Sequence, residues 1–245
     1  MANSLRIPSL YEERFGVRVA LLDMVMIAEV GEILERCRAE NVRLLIVRCA
    51  TDDVPTVHAL ETAGCQLMDT LLYFRRSLTG GALPTPVPAD RVVIRPARPE
   101  DAPRVEEIAA DAFRGYDGHF HADPRLDRAA CDAVYTSWAR ASVLSREVAD
   151  EVLVAEAGDK VAGFLTLKFT ASEIGEGPLY GVATEFQGRG LGRAMMAYGL
   201  HWFRERGAAW MQMSTQVTNT RSQRVWIRLG FEPSHSYYTF HRWFD

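Results

Sequence analysis

Gln187-Gly188-Arg189-Gly190-Leu191-Gly192 decides the reading of this 245-residue chain. An apolar, strand-like run, Pro178-Leu179-Tyr180-Gly181-Val182-Ala183, precedes it, and a helix-patterned run from Arg193 to Arg206 follows. A strand, a tight glycine loop and a helix in that order aim several unpaired backbone N–H groups and the positive end of a helix dipole at one point, which suits a phosphate or pyrophosphate. Glycine recurs because side chains would block the approach. A P-loop would need Lys and then Ser or Thr after its last glycine, where this chain has Arg193-Ala194. A dinucleotide fold wants a longer glycine spacing, an early first strand and an acidic residue about 20 positions on, and it fits poorly.

Around the loop the C-terminal part reads in order. Arg91 to Arg98 is a strand that enters a helix at Pro99-Glu100-Asp101, with Val105, Ile108, Ala109, Ala112 and Phe113 on one apolar face. Phe113 to Arg128 is a polar, aromatic, irregular stretch containing His119 and His121, and a helix carrying Tyr135 and Trp138 follows. Glu151 to Ala157 and Val161 to Phe169 form a hairpin through Gly158-Asp159-Lys160. Glu176 to Thr184 is the strand before the loop; Ala209 to Thr215 and Ser236 to Trp243 are strands flanking a helix from Asn219 to Leu229.

The N-terminal part has its own series. Strands at Phe15 to Leu22, Leu44 to Cys49 and Asp69 to Ser77, with helices at Ala28 to Glu40 and Val54 to Ala63, read as a compact β-α-β-α-β unit. Sliding it by 166 positions lays Gly64 on Gly230 and Phe74 on Phe240, and sets Leu21 to Met26 opposite Gln187 to Gly192. The identities barely exceed chance, so the order of elements carries the match; two unrelated α/β units of like size are the rival reading. The stretch LTGGALPTPVPAD, Leu78 to Asp90, has the composition of an exposed linker.

A formal charge of −4 supplies no basic field for a nucleic-acid backbone, which sets nucleic acid aside as the main partner. Cys37, Cys49, Cys65 and Cys131 are scattered, with no CxxC pair and no histidine at zinc spacing, and read as free buried thiols in a reducing compartment with no metal. The start MANSLRIPSLYEERF lacks the pattern of a signal peptide, and no run approaches the ~18 apolar residues that span a bilayer. A cytoplasmic location is expected.

The spacing QxxGxG after a strand, with Asn219, Ser222 and Leu229-Gly230-Phe231 downstream, resembles the GNAT superfamily of acyl-CoA-dependent N-acyltransferases. The resemblance covers Arg91 to Asp245 and implies an α/β (α+β) fold with a mixed, mostly antiparallel sheet, preceded by a smaller, degenerate GNAT-like unit. The domains would then be 1–78, a linker over 79–90, and a catalytic domain over 91–245. Acetyl-CoA is implied as cosubstrate, without a metal. In the family, N–H groups near Val182 and Ala183 polarise the thioester carbonyl. Gln187, Gly188, Arg189, Gly190, Leu191, Gly192 and Arg193 hold the pyrophosphate, and Asn219, with Ser222, lies beside the pantetheine arm. Glu176 stands where some members carry a general base, against the equal rival of an exposed strand-end glutamate. The family's usual acid, a Tyr seven residues after the Asn, is Trp226 here, and indole cannot give a proton to a thiolate at neutral pH. Tyr237 and Tyr238 are the remaining candidates; alternation lets only one face the site, and Tyr238 is the expected one.

Within the superfamily the chain is most similar to the TDP-fucosamine N-acetyltransferases, which acetylate a dTDP-linked 4-amino-4,6-dideoxy sugar. Phe15-Gly16, Asp123-Pro124 followed by Tyr135 and Trp138, and the segment Ala208 to Gly230 carry that likeness. It implies a small-molecule amine as acceptor, the amino group of a nucleotide-linked sugar, gripped by His119, His121, Tyr135 and Trp138, and it allows a homodimer. An acetyltransferase of a protein lysine or other small amine, and a non-catalytic acyl-CoA sensor, are the alternatives.

Overall fold

The computed structural model describes residues 5–86 and 92–245. The N-terminal part contains α1 (Ser9–Phe15), β1 (Val19–Leu22), α2 (Val30–Ala39), β2 (Leu44–Ala50), α3 (Val54–Thr62) and β3 (Gln66–Ser77). The rest contains β4 (Val92–Pro96), α4 (Ala102–Ala112), α5 (His119–Ala122), α6 (Arg128–Leu144), β5 (Glu151–Ala157), β6 (Lys160–Ala171), β7 (Ile174–Glu176), β8 (Tyr180–Val182), α7 (Leu191–Glu205), β9 (Trp210–Gln216), α8 (Thr220–Arg228) and β10 (Glu232–Trp243). Branched apolar runs became strands and periodic runs became helices close to the expected positions.

Two expected strands differ. Phe15 is the last residue of α1, which closes on Gly16 in the left-handed region (φ +66°), so β1 starts only at Val19. The run Glu176 to Thr184 is broken into β7 and β8, because Pro178 has no N–H to extend the ladder to β9, whose last bond here is from the Gly177 N–H to the Gln212 carbonyl (3.3 Å).

All ten strands form one sheet in the order β1-β2-β10-β3-β9-β7-β6-β5-β4, with β8 paired to β6. The β1–β2 and β7–β9 pairs are parallel and the others antiparallel, the mixed, mostly antiparallel sheet that was expected. The first three strands do not close a compact unit. Instead β3 lies between β10 and β9, and β10 lies between β2 and β3, so each half gives its last strand to the other.

The exchange is nearly two-fold symmetric. Adding 166 carries Leu44–Ala50 onto Trp210–Gln216, Val54–Thr62 onto Thr220–Arg228, and Gln66–Ser77 onto Glu232–Trp243. Gly64 (φ +77°) and Gly230 (φ +79°) face the guanidinium groups of Arg242 and Arg76 respectively, a reciprocal pair under the same offset. The offset fails toward the glycine loop. Val19, opposite Leu44, stands 155 positions before Ile174, opposite Trp210, whereas Leu44 stands 166 before Trp210. The C-terminal half therefore has an eleven-residue insertion between its parallel strand and the shared ladder. α2 and α7 still end 166 positions apart, at Ala39 and Glu205, so the extra residues lie ahead of the helix, and Leu21 and Leu22 belong to β1 rather than to a loop.

Helices cover both faces. On one, Leu45, Val47, Leu60 and Phe240 form a core in the N-terminal half, and Phe74, Leu165, Phe203 and Trp226 form a second. On the other, Leu44 and Ile46 meet Val105, Ile108, Phe120 and Val134. Phe74 and Phe240, equivalent under the offset, are both 1% exposed, and each contributes about 1.5–3 kcal/mol by leaving water. Of the stretch 79–90, Leu83 is buried in the second core, the Pro84 carbonyl accepts from His201 (3.1 Å), and 87–90 lie outside the described residues.

Candidate active site

Strand alternation sends every second side chain of neighbouring strands to one face. Arg48 of β2, Tyr237 and His235 of β10, Leu71 and Tyr73 of β3, Gln212, Ser214 and Gln216 of β9, and Glu176 of β7 form the floor of a cavity of about 1280 Å³. Phe113, Tyr116, His119, Phe120, Tyr135 and Trp138 wall it on one side. Gln187, Gly188, Gly190 to Arg193, Asn219 and Ser222 bound it on another. Residues expected to hold a cofactor and residues expected to hold an acceptor thus share one space, to which β2 and β3 add Arg48 and Tyr73.

The opening in the sheet comes from β8, which pairs with β6 but not with β9. Phe164 opposes Gly181, and the Leu179 and Ala183 backbones bond to β6 on either side. By alternation the N–H groups of Tyr180 and Val182 point away from β6, into the gap. Ala183 does not share this role, since its N–H donates to the Ala162 carbonyl (2.9 Å). Of the two groups expected to polarise a carbonyl, only Val182 is free to do so.

In the glycine loop, Gly188 (φ +76°) and Gly190 (φ +79°) hold left-handed conformations, and a Cβ on either would meet nothing within 4 Å. The glycines satisfy the backbone and leave a clear approach to the start of α7, where Gly190 is the N-cap and supplies no side chain to the first-turn N–H groups. Gln187 braces the loop from behind: its Nε2 donates to the Val182 carbonyl (3.1 Å) and its Oε1 accepts from Arg221 (2.9 Å). Arg193 lines the cavity, whereas the Arg189 guanidinium lies over the Phe186 ring at 5.5 Å.

Asn219 caps α8, its Oδ1 accepting from the Ser222 N–H (3.3 Å) while its Nδ2 donates to Thr215 Oγ1 (2.9 Å). Ser222 Oγ accepts from the Tyr180 hydroxyl at 2.9 Å. Tyr180 escaped the sequence reading, although it stands two residues before Val182 and so on the same edge of the strand.

Among proton-handling groups, Glu176 faces the cavity. Burial pushes its pKa up to about 6, against a smaller opposing pull from Arg48. Tyr237 also faces the cavity, edge-on to Tyr73 (5.4 Å between ring centroids). Tyr238 is directed to the opposite face, where it packs on the N-terminal core beside Phe240. The expected choice of Tyr238 is corrected by the register, since Tyr237 opposes Leu71, a cavity residue. Trp226 is 1% exposed and sits edge-on to Phe74 (5.5 Å), its Nε1 without a partner among the described residues.

At the far wall, His119 and His121 part company. His119 lines the cavity and contacts His241. His121 is turned away, its Nε2 on Asp132 (3.0 Å) and its ring stacked toward Tyr135, because successive residues of a helical turn cannot share a face. Tyr135 and Trp138, one turn apart on α6, both reach the cavity. Arg48 has no ion pair or hydrogen bond among the described residues, yet it influences Glu176, Tyr73, Tyr116, His119 and Tyr237 across the cavity. No group of three or more His, Cys, Asp or Glu side chains among the described residues is arranged to hold a metal, and none of the described helices is long and apolar enough to cross a membrane. The four cysteines are free and buried, and burial pushes each thiol up to about 11.

Comparison with known proteins gives matches in both sequence and structure. A mycothiol acetyltransferase of Nocardia farcinica is 32% identical over 196 residues, 76% of this chain and 60% of that protein. The spore coat polysaccharide biosynthesis protein SpsD of Bacillus subtilis is 25% identical over 203 residues, 81% of this chain and 66% of that protein. The chain therefore spans about 60–66% of the length of these relatives. Among solved structures, a tandem GNAT protein from the clavulanic acid biosynthesis pathway superposes with a TM-score of 0.66 at 16% identity, covering 93% of this chain and 76% of that one. The profile of the acetyltransferase (GNAT) family matches residues 103–231, more than half of the chain and the whole stretch from α4 through the glycine loop to Phe231. With the splayed strand, the glycine cradle and the sheet all in place, this chain belongs to the acetyltransferase (GNAT) family.

Proposed function

We propose that the chain is an acetyl-CoA-dependent N-acetyltransferase acting on the primary amine of a nucleotide-linked amino-deoxy sugar, in a catalytic domain over 91–245 walled by a degenerate GNAT-like N-terminal part. The observation that carries the reading is that the open strand edge at Val182, the helix start at Gly190 and the carboxyl group of Glu176 face one cavity. The residues fit coenzyme A. Left-handed Gly188 and Gly190 leave the first-turn N–H groups of α7 unobstructed for a pyrophosphate, with Arg193 adding charge. When bound, acetyl-CoA supplies the activated acetyl group.

The chain's own residues do the rest. The Val182 N–H is aimed into the gap, where it stabilises developing negative charge on a carbonyl oxygen. Glu176, poised near 6, is ionised at neutral pH and takes a proton from the acceptor's ammonium group. Tyr237, which shares the cavity floor with Tyr73, is the hydroxyl assigned here to return a proton to the leaving sulfur.

Arg48 supports an anionic acceptor. A guanidinium on the cavity floor without a carboxylate partner matches the diphosphate of a sugar nucleotide, and the tyrosines around it offer ring faces and hydroxyls to a sugar. A second reading, an acceptor of the mycothiol type, is favoured by the 32% identity to the Nocardia protein. Release of free thiol from acetyl-CoA should be followed with dTDP-4-amino-4,6-dideoxygalactose, mycothiol precursors, polyamines and lysine peptides. Turnover confined to the peptides or polyamines would overturn the sugar assignment, and turnover with none would leave the sensor alternative.

A further inference from the structure

Two hydroxyls meet in the gap that opens where β8 pairs with β6 and leaves β9. Tyr180 projects from β8 toward the helices of the second core, its ring 6.4 Å from that of Trp226. The ring also passes the start of α7, where a Cβ on Gly192 would stand 3.9 Å from Tyr180 Cε2. From there the phenol reaches α8, and its oxygen lies 2.9 Å from Ser222 Oγ. Both residues line the cavity.

Each hydroxyl carries one hydrogen, so a bond between two hydroxyls consumes one and leaves one over. The count is the same whichever oxygen donates, and neither hydroxyl has another partner among the described residues. Burial, against the opposing bond to Ser222 and the charge of Arg221, raises the Tyr180 pKa above its ordinary value, so the phenol keeps its proton at neutral pH. The neighbouring polar groups are committed or enclosed. Asn219 uses its amide on the Ser222 N–H and on Thr215, and the Trp226 indole nitrogen is shut inside the core.

The spare hydrogen therefore has a place and no acceptor. Ser222 stands one turn before Trp226 and on the same face of α8. The positive end of the α8 dipole favours negative charge beside this first turn. Val182, whose N–H is aimed at the carbonyl oxygen in the reading above, is two residues from Tyr180 on the same edge of β8. A donor beside that carbonyl, among the apolar side chains of Val182, Val225 and Trp226, suits a large, weakly hydrated anion such as the sulfur leaving a thioester.

We propose that Tyr180 and Ser222 are catalytic residues whose paired hydroxyls donate the spare hydrogen to the sulfur of coenzyme A, stabilising the electron pair that sulfur takes up as its bond to the carbonyl carbon breaks and the carbon–nitrogen bond forms. The pair lends a hydrogen bond and keeps both protons; the proton that neutralises the sulfur is the one assigned to Tyr237. The inference deepens the transferase reading and rests on its coenzyme site.

A thiolate accepts a hydrogen bond better than a thiol does, so the pair should ease ionisation of the thiol of bound coenzyme A. That thiol is titrated on the full chain by the ultraviolet absorbance of the thiolate, a measurement that needs no acceptor. Arg193, Arg221, Arg228 and Glu176, charged groups bordering the same cavity, are common to every variant, so differences between variants report the pair. The ionisation constant should fall about tenfold or more in the double variant Ser222→Ala, Tyr180→Phe, as expected for one lost hydrogen bond to a charged group. Each single change leaves one hydroxyl in the gap and should cost less, and Ser222→Thr should match the native chain. Coenzyme A affinity at pH 6, where the thiol is neutral, should stay within about twofold in all of them. An ionisation constant equal in the native chain and the double variant overturns the proposal. Weaker binding at pH 6 with an unmoved thiol also overturns it, and makes the pair a contact of the pantetheine arm. Failure of the native chain to bind coenzyme A would remove the coenzyme site and the proposal together, whereas binding with an unmoved thiol removes the proposal alone.

Discussion

Replacing Glu176 by Gln should make the protein more stable and less active, and pH separates the two effects. Burial raises the pKa of this carboxyl from 4.5 to about 6 in the folded chain. The folded state therefore holds the proton more tightly than the unfolded state. Below about pH 4.5 the group is neutral in both and carries no penalty; as pH rises through 6 the folded chain must ionise a carboxylate in a poor environment, and that stability is lost. The difference corresponds to about 2 kcal/mol at neutral pH and above. Gln keeps the shape without the charge, so Glu176→Gln should raise Tm by about 4–8 °C at pH 8 for a chain of this size, with the gain shrinking toward zero near pH 4. Turnover should fall about 10²–10⁴-fold, the usual range for a positioned general base. On the proposed reading, kcat/KM of the native chain should climb with pH up to about 6 and level off above, and the variant should lose that limb. Calorimetry at pH 8 and pH 4.5, paired with thiol release from acetyl-CoA, measures both. A Tm gain equal at the two pH values, or an unchanged pH–rate profile in the variant, would refute the reasoning.

Four further outcomes are expected. Gly190→Val should abolish the thermal shift given by acetyl-CoA, since a side chain would stand before the first turn of α7 and a β-branched residue is strained at φ +79°; retained affinity would remove the loop from the cofactor site. Tyr237→Phe should slow turnover at saturating acetyl-CoA while Tyr238→Phe should not, because of these two only the first faces the cavity; equal rates in both would discard Tyr237 as the acid. Arg48→Gln should raise the acceptor KM about tenfold or more and leave the acetyl-CoA KM unchanged, as measured by initial rates, if it pairs with an anionic acceptor. Residues 91–245 alone should not yield a stable monomer by size exclusion, because both neighbours of β10 are lost; a soluble monomer that binds acetyl-CoA would contradict the strand order.

The sequence carried the local structure and the glycine-loop end of the candidate site. Glycine spacing, the strand before it and Asn219 three residues before Ser222 each reflect a short-range constraint, a left-handed turn or a helix cap, and those constraints are written in adjacent residues. What could not be read depends on partners far away in the chain. Arg48 is an ordinary strand arginine until β10 and β3 bring its face of the sheet beside that of Glu176. The inward face of Tyr237 follows from its register with Leu71, and His119 meets His241 only across 122 positions of chain. The offset of 166 was visible, whereas the eleven extra residues between the parallel strand and α7 were not.

The exchanged strands also order events in time. While the chain is being synthesised, β2 can pair only with β1, and the edge that β10 will occupy stays bare until Glu232–Trp243 has left the ribosome. β3 waits for β9 and β10, more than 130 residues later, before it has a neighbour on either side. Pairing at such separation is slow and leaves hydrogen-bonding edges open to other chains. The N-terminal half should therefore be the segment that a chaperone shields during synthesis, and the final strand, by entering between β2 and β3, is the latch that commits both halves at once.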